Sequence, residues 1–170
     1  FNQYLQRSAI ALALAPWLSA VAAPADKPRA WRTNPFALGV ASGRPRAESV
    51  VLWMRLLFSD EDRAVGTEAL RVQVEVFADA ALKRRVQKAE VITDDARGHS
   101  VHVHVQNLQP STDYWYRFTQ GDAPSTVGHT RTAPALNADV RALRIALTSC
   151  QHYEQGQFIA HAEIAKQPLD

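Results

Sequence analysis

The residues best suited to chemistry stand together near the end of the chain, in Ser149-Cys150-Gln151-His152-Tyr153-Glu154. An apolar run from Leu143 to Leu147 leads into the only cysteine of the sequence. A thiolate at the C-terminal end of a strand could hold iron or zinc, or attack an electrophile. Strand ends of this kind are where ligands gather in open α/β sheets. Taken alone, Cys150 reads first as a buried, inert small apolar side chain. His152 and Glu154 stand close to it, yet no partner ligand follows at a C-x-x-C or H-x-x-x-H spacing. A single cysteine also excludes an internal disulfide, leaving a buried thiol, a metal ligand or a nucleophile.

Other histidines carry less. His102 and His104 share one face of a strand and could chelate weakly in principle, but an exposed polar strand face is the better explanation. His161 falls on a helix and reads as solvated. The sequence contains no Gly-rich phosphate loop, no G-x-S-x-G elbow and no H-E-x-x-H. The net charge of +2 across 170 residues gives no dense basic stripe for nucleic acid. Its nearest equivalent, Lys83-Arg84-Arg85 with Lys88, reads as a solvated strand edge or turn.

A β-rich unit must position these residues. Leu70 to Val76 alternates apolar and polar residues at period two, as does Ser100 to Gln106, with Val101, Val103 and Val105 on one face. Ser49 to Leu56 is strongly apolar and reads as a central strand buried on both faces. Phe36 to Ala41, Arg85 to Ile92, Tyr114 to Thr119 and Val127 to Thr132 complete seven candidate strands. Turn-forming Gly, Pro, Asp and Asn separate them, the pattern of a sandwich. Leu108-Gln109-Pro110-Ser111-Thr112-Asp113-Tyr114-Trp115-Tyr116 resembles the L-x-P-x-T-x-Y-x-Y segment of fibronectin type III-like domains. In those domains the first Tyr returns its hydroxyl to the backbone as a tyrosine corner.

Five segments are expected. Residues 1–23 read as an export signal: an apolar stretch too short for a typical membrane span, followed by small residues fit for an Ala-x-Ala cut. A twin-arginine pair would precede Phe1, so the export route stays open. Residues 24–33 form a Pro-rich spacer, 34–134 the β-sandwich, and 135–142 a linker. Residues 143–170 form a strand over Arg144 to Thr148, a polar loop, and a helix that Pro168 ends. A lone β-α unit has no partner strand for its apolar face. Its sheet must come from other sequence, or the tail packs on the sandwich. The oligomeric state is not encoded in any feature of the sequence.

Several segments together resemble the PhoD-like alkaline phosphatase/phosphodiesterase family. They are Asn34 to Gly43, Ser49 to Trp53, His99 to Val103, Tyr116-Arg117-Phe118, Gly128 to Pro134, and Ser149-Cys150-Gln151 with Tyr153, Glu154 and Gly156. The resemblance implies a mainly β fold: a fibronectin III/Ig-like β-sandwich followed by the first β-α unit of a truncated α/β metallophosphatase domain. It implies an exported protein, periplasmic, cell-wall-associated or secreted, that hydrolyses phosphoesters. It implies that Cys150 is a ligand of an active-site iron beside calcium ions. The family's next metal-binding segment, an L-G-D-Y-I-Y-E-like run, would begin after Asp170. The chain is therefore expected to be the N-terminal part of a phosphoric ester hydrolase, inactive by itself. Arg44 departs from the pattern, because members commonly carry an acidic residue after this Ser-Gly. That position is expected to lie in a loop, with a local effect. The alternative reading is a secreted β-sandwich binding module without catalysis.

Overall fold

A computed structural model describes residues 29–149, 152, 154 and 156–169. Two antiparallel sheets form the body. The first has three strands: β1 (Val40–Arg46), β2 (Ser49–Arg55) and β5 (Ser100–Val105), in the order β1-β2-β5. The second is built on β3 (Leu70–Phe77), β4 (Arg85–Thr93), β6 (Asp113–Gln120) and the two-residue β7 (Ala123–Pro124), in the order β4-β3-β6-β7. A last strand, β8 (Gly128–Arg131), also pairs with β6.

Period-two alternation aims each sheet's apolar residues inward. Val50, Leu52 and Met54 from β2 meet Val72, Val74 and Val76 from β3, with Tyr116 and Phe118 from β6, in one buried cluster. Each such side chain contributes about 1.5–3 kcal/mol by leaving water. β2 differs from expectation. It is central, but only one face is buried: Val51 and Trp53 point outward and are partly exposed. An uninterrupted apolar run does not reveal which face the second sheet covers.

The tyrosine corner is formed. The Gln109 backbone N–H donates to the Tyr114 hydroxyl at 2.9 Å, and the ring is buried. Leu108 is buried beneath it, and the Thr112 hydroxyl donates to the Pro110 carbonyl at 2.8 Å.

The first strand begins later than its sequence implies. Residues 36–39 make a turn in which the Gly39 N–H donates to the Phe36 carbonyl at 2.9 Å, and β1 starts at Val40. Arg44 is therefore not in a loop. It lies inside β1 at a β-bulge, where the register with β2 shifts between Gly43 and Arg46.

The basic run is absorbed into the hairpin joining β3 to β4. Asp79 accepts from the Arg84 and Lys83 backbone N–H groups, which hold its carboxyl below the ordinary range. Arg85 reaches Glu75 instead. Glu75 lies on the outer face of β3, yet its side chain is only 8% exposed. Arg85 donates to one carboxylate oxygen at 2.7 Å and Arg117 to the other at 3.1 Å. Burial pushes the Glu75 carboxyl up, but the bonds and charges of the two arginines outweigh it and hold it below 4.5.

A depressed folded-state value contributes stability that is present above the unfolded value and lost as pH falls through the folded one. Glu75→Gln is expected to cost about 1–2 kcal/mol near neutral pH, at the low end for charged bonds because both arginines are partly solvated. The gap to the parent protein closes in acid. Urea titrations at neutral pH and near pH 3 check this, and a gap that persists unchanged in acid removes the argument.

Candidate metal-binding segment

The chain leaves the sandwich at Pro134. Two backbone bonds pin the exit: Ser111 N–H to the Ala133 carbonyl at 3.1 Å, and Ala133 N–H to the Arg46 carbonyl at 3.0 Å. Residues 135–149 then run exposed and without ladder pairing. The strand expected over Arg144 to Thr148 is not formed. A strand needs a neighbour to satisfy its backbone groups, and none lies beside it among the described residues. Its apolar side chains are bare: Leu143 is 69% exposed, Ile145 75% and Leu147 93%.

The expected helix is present as α1 (Ile159–Ile164), with no buried residue. Residues just beyond it close a hollow of about 400 Å³ against the sandwich edge, shared by Ser42, Gly43, Asp113 and His129 with Ile164 and Leu169. On that edge Asp113 accepts from His129 Nε2 at 3.0 Å and approaches Arg131 at 3.7 Å. The tail thus lies along the β1/β8 side of the sandwich.

Cys150, the one residue marked as a metal ligand, lies outside the described residues, as do Gln151 and Tyr153. Its neighbours His152 and Glu154 are exposed, and the Glu154 N–H donates to His152 Nδ1 at 3.3 Å. Among the described residues no group of three or more His, Cys, Asp or Glu side chains is placed to hold a metal. The described residues therefore do not by themselves make up an iron and calcium site. His161 is exposed on α1, its ring 5.8 Å from that of Phe158. His102 and His104 project from the open face of the first sheet, opposite Trp53 and Val51.

Sequence reasoning missed His99. It is 5% exposed, its Nε2 donates to the Gly66 carbonyl at 2.8 Å, and its ring sits edge-on to Phe58 at 4.8 Å. These contacts are structural. Only the fold reveals them, because Gly66 and Phe58 stand far from His99 along the chain.

Two sheets closed by a tyrosine corner, with an exposed tail running from the last strand, define a fibronectin III-like sandwich. Residues 20–134 match the family model described as PhoD-like phosphatase, N-terminal domain, and the chain belongs to that family. It is 41% identical over 137 residues to alkaline phosphatase D of Bacillus subtilis (strain 168), covering 80% of this chain and 24% of that protein. The solved structure of PhoD superposes with a TM-score of 0.77 at 40% identity, covering 84% of this chain and 27% of that one. The chain thus spans about a quarter of the length of the relatives it matches. No helix among the described residues is long and apolar enough to cross a membrane.

Proposed function

We propose that this chain is the N-terminal part of an exported, metal-dependent phosphomonoesterase/phosphodiesterase. The observation that carries this reading is the 41% identity to alkaline phosphatase D, over a stretch longer than the sandwich itself. Residues 1–23 act as the export signal; they fall outside the described residues. Cys150 supplies one anionic sulfur ligand to an iron, with calcium ions beside it and the remaining ligands drawn from other sequence. When bound, such metals activate an oxygen nucleophile and offset charge on the phosphoryl oxygens.

The chain's own residues do the preparatory work. The sandwich fixes the exit at Pro134, and the end of α1 with the residues after it borders the β1/β8 edge. Leu143, Ile145 and Leu147 present an apolar strip that a neighbouring strand of a metallophosphatase sheet would cover. Burial there would supply the ladder partner that Arg144 to Thr148 lacks and would bring Cys150 to a strand end.

One thiolate cannot hold a multinuclear site. The purified 170-residue chain, supplied with iron and calcium, is therefore expected to hydrolyse an aryl phosphodiester no faster than buffer. The product of the whole reading frame is expected to turn it over in a metal-dependent way. Metal-dependent turnover by the 170-residue chain would overturn the assignment of the missing ligands. An inactive whole product would favour a binding module.

A further inference from the structure

The open face of the β1-β2-β5 sheet carries a hollow of about 380 Å³, lined by Arg44, Arg46, Val51, His102 and His104. Four of its five walls are cationic or can donate hydrogen bonds, and no carboxylate is among them. Several other arginines of the sandwich are ion-paired: Arg71 meets Glu90, Arg85 and Arg117 meet Glu75, and Arg131 approaches Asp113; Arg55 instead donates to the Gly98 carbonyl at 3.0 Å. Arg44 and Arg46 have no side-chain hydrogen bond or ion pair among the described residues. The nearest acid in sequence, Glu48, sits at the hairpin tip and forms no part of the hollow.

The bulge in β1 builds this arrangement. Gly43 pairs with Val51, and Arg46 pairs with Ser49. Gly43 and Arg46 lie three positions apart, so in a regular strand they would face opposite sides. The extra residue restores the same face and brings Arg46 alongside Val51. Arg44 takes the bulge position itself, with φ at 47°. A non-glycine residue in this left-handed region is strained, and such strain clusters at functional positions. Gly43, opposite Val51, has no side chain to roof the hollow, and a Cβ there would meet nothing within 4 Å. Across β2, His104 pairs with Val51 and His102 with Trp53.

We infer that this hollow is a binding site for a phosphate group. Two guanidinium forks suit the planar, bidentate geometry of phosphate oxygens, and the imidazoles add donors from the facing strand. A divalent cation is disfavoured, because two unneutralised guanidiniums border the same space. The shared chemistry is a tetrahedral oxyanion, which arrives either as free phosphate or as a phosphodiester link in a larger molecule.

The test is an NMR titration of the 170-residue chain at low ionic strength, following the His102 and His104 ring signals. Phosphate, dimethyl phosphate, sodium chloride at matched ionic strength and zinc are added in separate series. Saturable shifts with phosphate or dimethyl phosphate, absent with chloride, are the expected result. A response to phosphate alone assigns the free ion, and a response to dimethyl phosphate assigns a diester link. The double variant Arg44→Gly, Arg46→Gln is expected to weaken binding at least tenfold. Glycine tolerates the positive φ, so this variant keeps the fold, and an unchanged denaturation midpoint verifies that. Shifts equal to those in chloride, unaltered binding in the variant, or saturation by zinc only would each overturn the site. None of these outcomes bears on whether the whole protein hydrolyses phosphoesters.

Discussion

Gly128→Ala is expected to destabilise the sandwich by about 3 kcal/mol, a large loss for the addition of one methyl group. A Cβ at Gly128 would lie 2.2 Å from Cζ of Tyr116 and 2.6 Å from both of its Cε atoms. Tyr116 cannot step aside. Its side chain is 1% exposed and its ring meets Phe118 edge-on at 6.1 Å. Burial pushes its phenol up, against the smaller opposing effect of Ser42. Gly128 does not have a positive φ, so the cost is steric rather than conformational. That distinction makes the cause testable. In a Tyr116→Leu background the ring is gone, and Gly128→Ala should cost well under 1 kcal/mol, a strongly non-additive pair. Urea denaturation of the four proteins closes the cycle. Additive losses would show that the methyl group clashes with something other than the ring.

The same strand shows what a sequence discloses and what it withholds. β6 alternates cleanly because its even-numbered residues face the other sheet, and the strand and the buried Tyr114 are legible in the sequence, which does not place Tyr116 and Phe118 in the core. β3 and β5 are legible for the same reason. β1 is not. Ser42, Gly43 and Pro45 are turn-type residues, and nothing in their order signals a strand. The strand exists because β2 offers a ladder, and Pro45 is tolerated because β1 is an edge. The bulge that reorients Arg46 is likewise a property of the pair, set by the register with β2. In the tail the reverse holds. Leu143 to Leu147 has the composition of a strand, yet without a partner it remains extended and exposed. Cys150 stands out by type and position, but a ligand set is a three-dimensional object that no spacing along a chain displays. Residue type can nominate a ligand; only the surrounding sheet can assemble a site.

Cys150→Ser, made in the product of the whole reading frame, is therefore expected to abolish iron binding and lower phosphodiesterase activity at least about 100-fold. Loss of an outer partner of a metal ligand already costs 10–100-fold, and removing a ligand itself should exceed that. Serine keeps the size of cysteine but not its thiolate. Its hydroxyl stays protonated near neutral pH, so the site loses an anionic donor that a trivalent ion needs. The sandwich should be indifferent to the change. Cys150 follows the exit at Pro134, and the core cluster draws on residues 36–123. Metal analysis of the purified variant, beside its thermal unfolding, separates the two possibilities. Iron lost with the sandwich transition unchanged assigns Cys150 as a ligand. Iron retained at the parent's level would return Cys150 to the role of an inert side chain. Activity lost together with the sandwich transition would mark it as a packing residue between the tail and its covering sheet. Leu147, three positions before Cys150 and 93% exposed, makes that contest a real one, because a sheet that covered Leu147 would also pack near position 150.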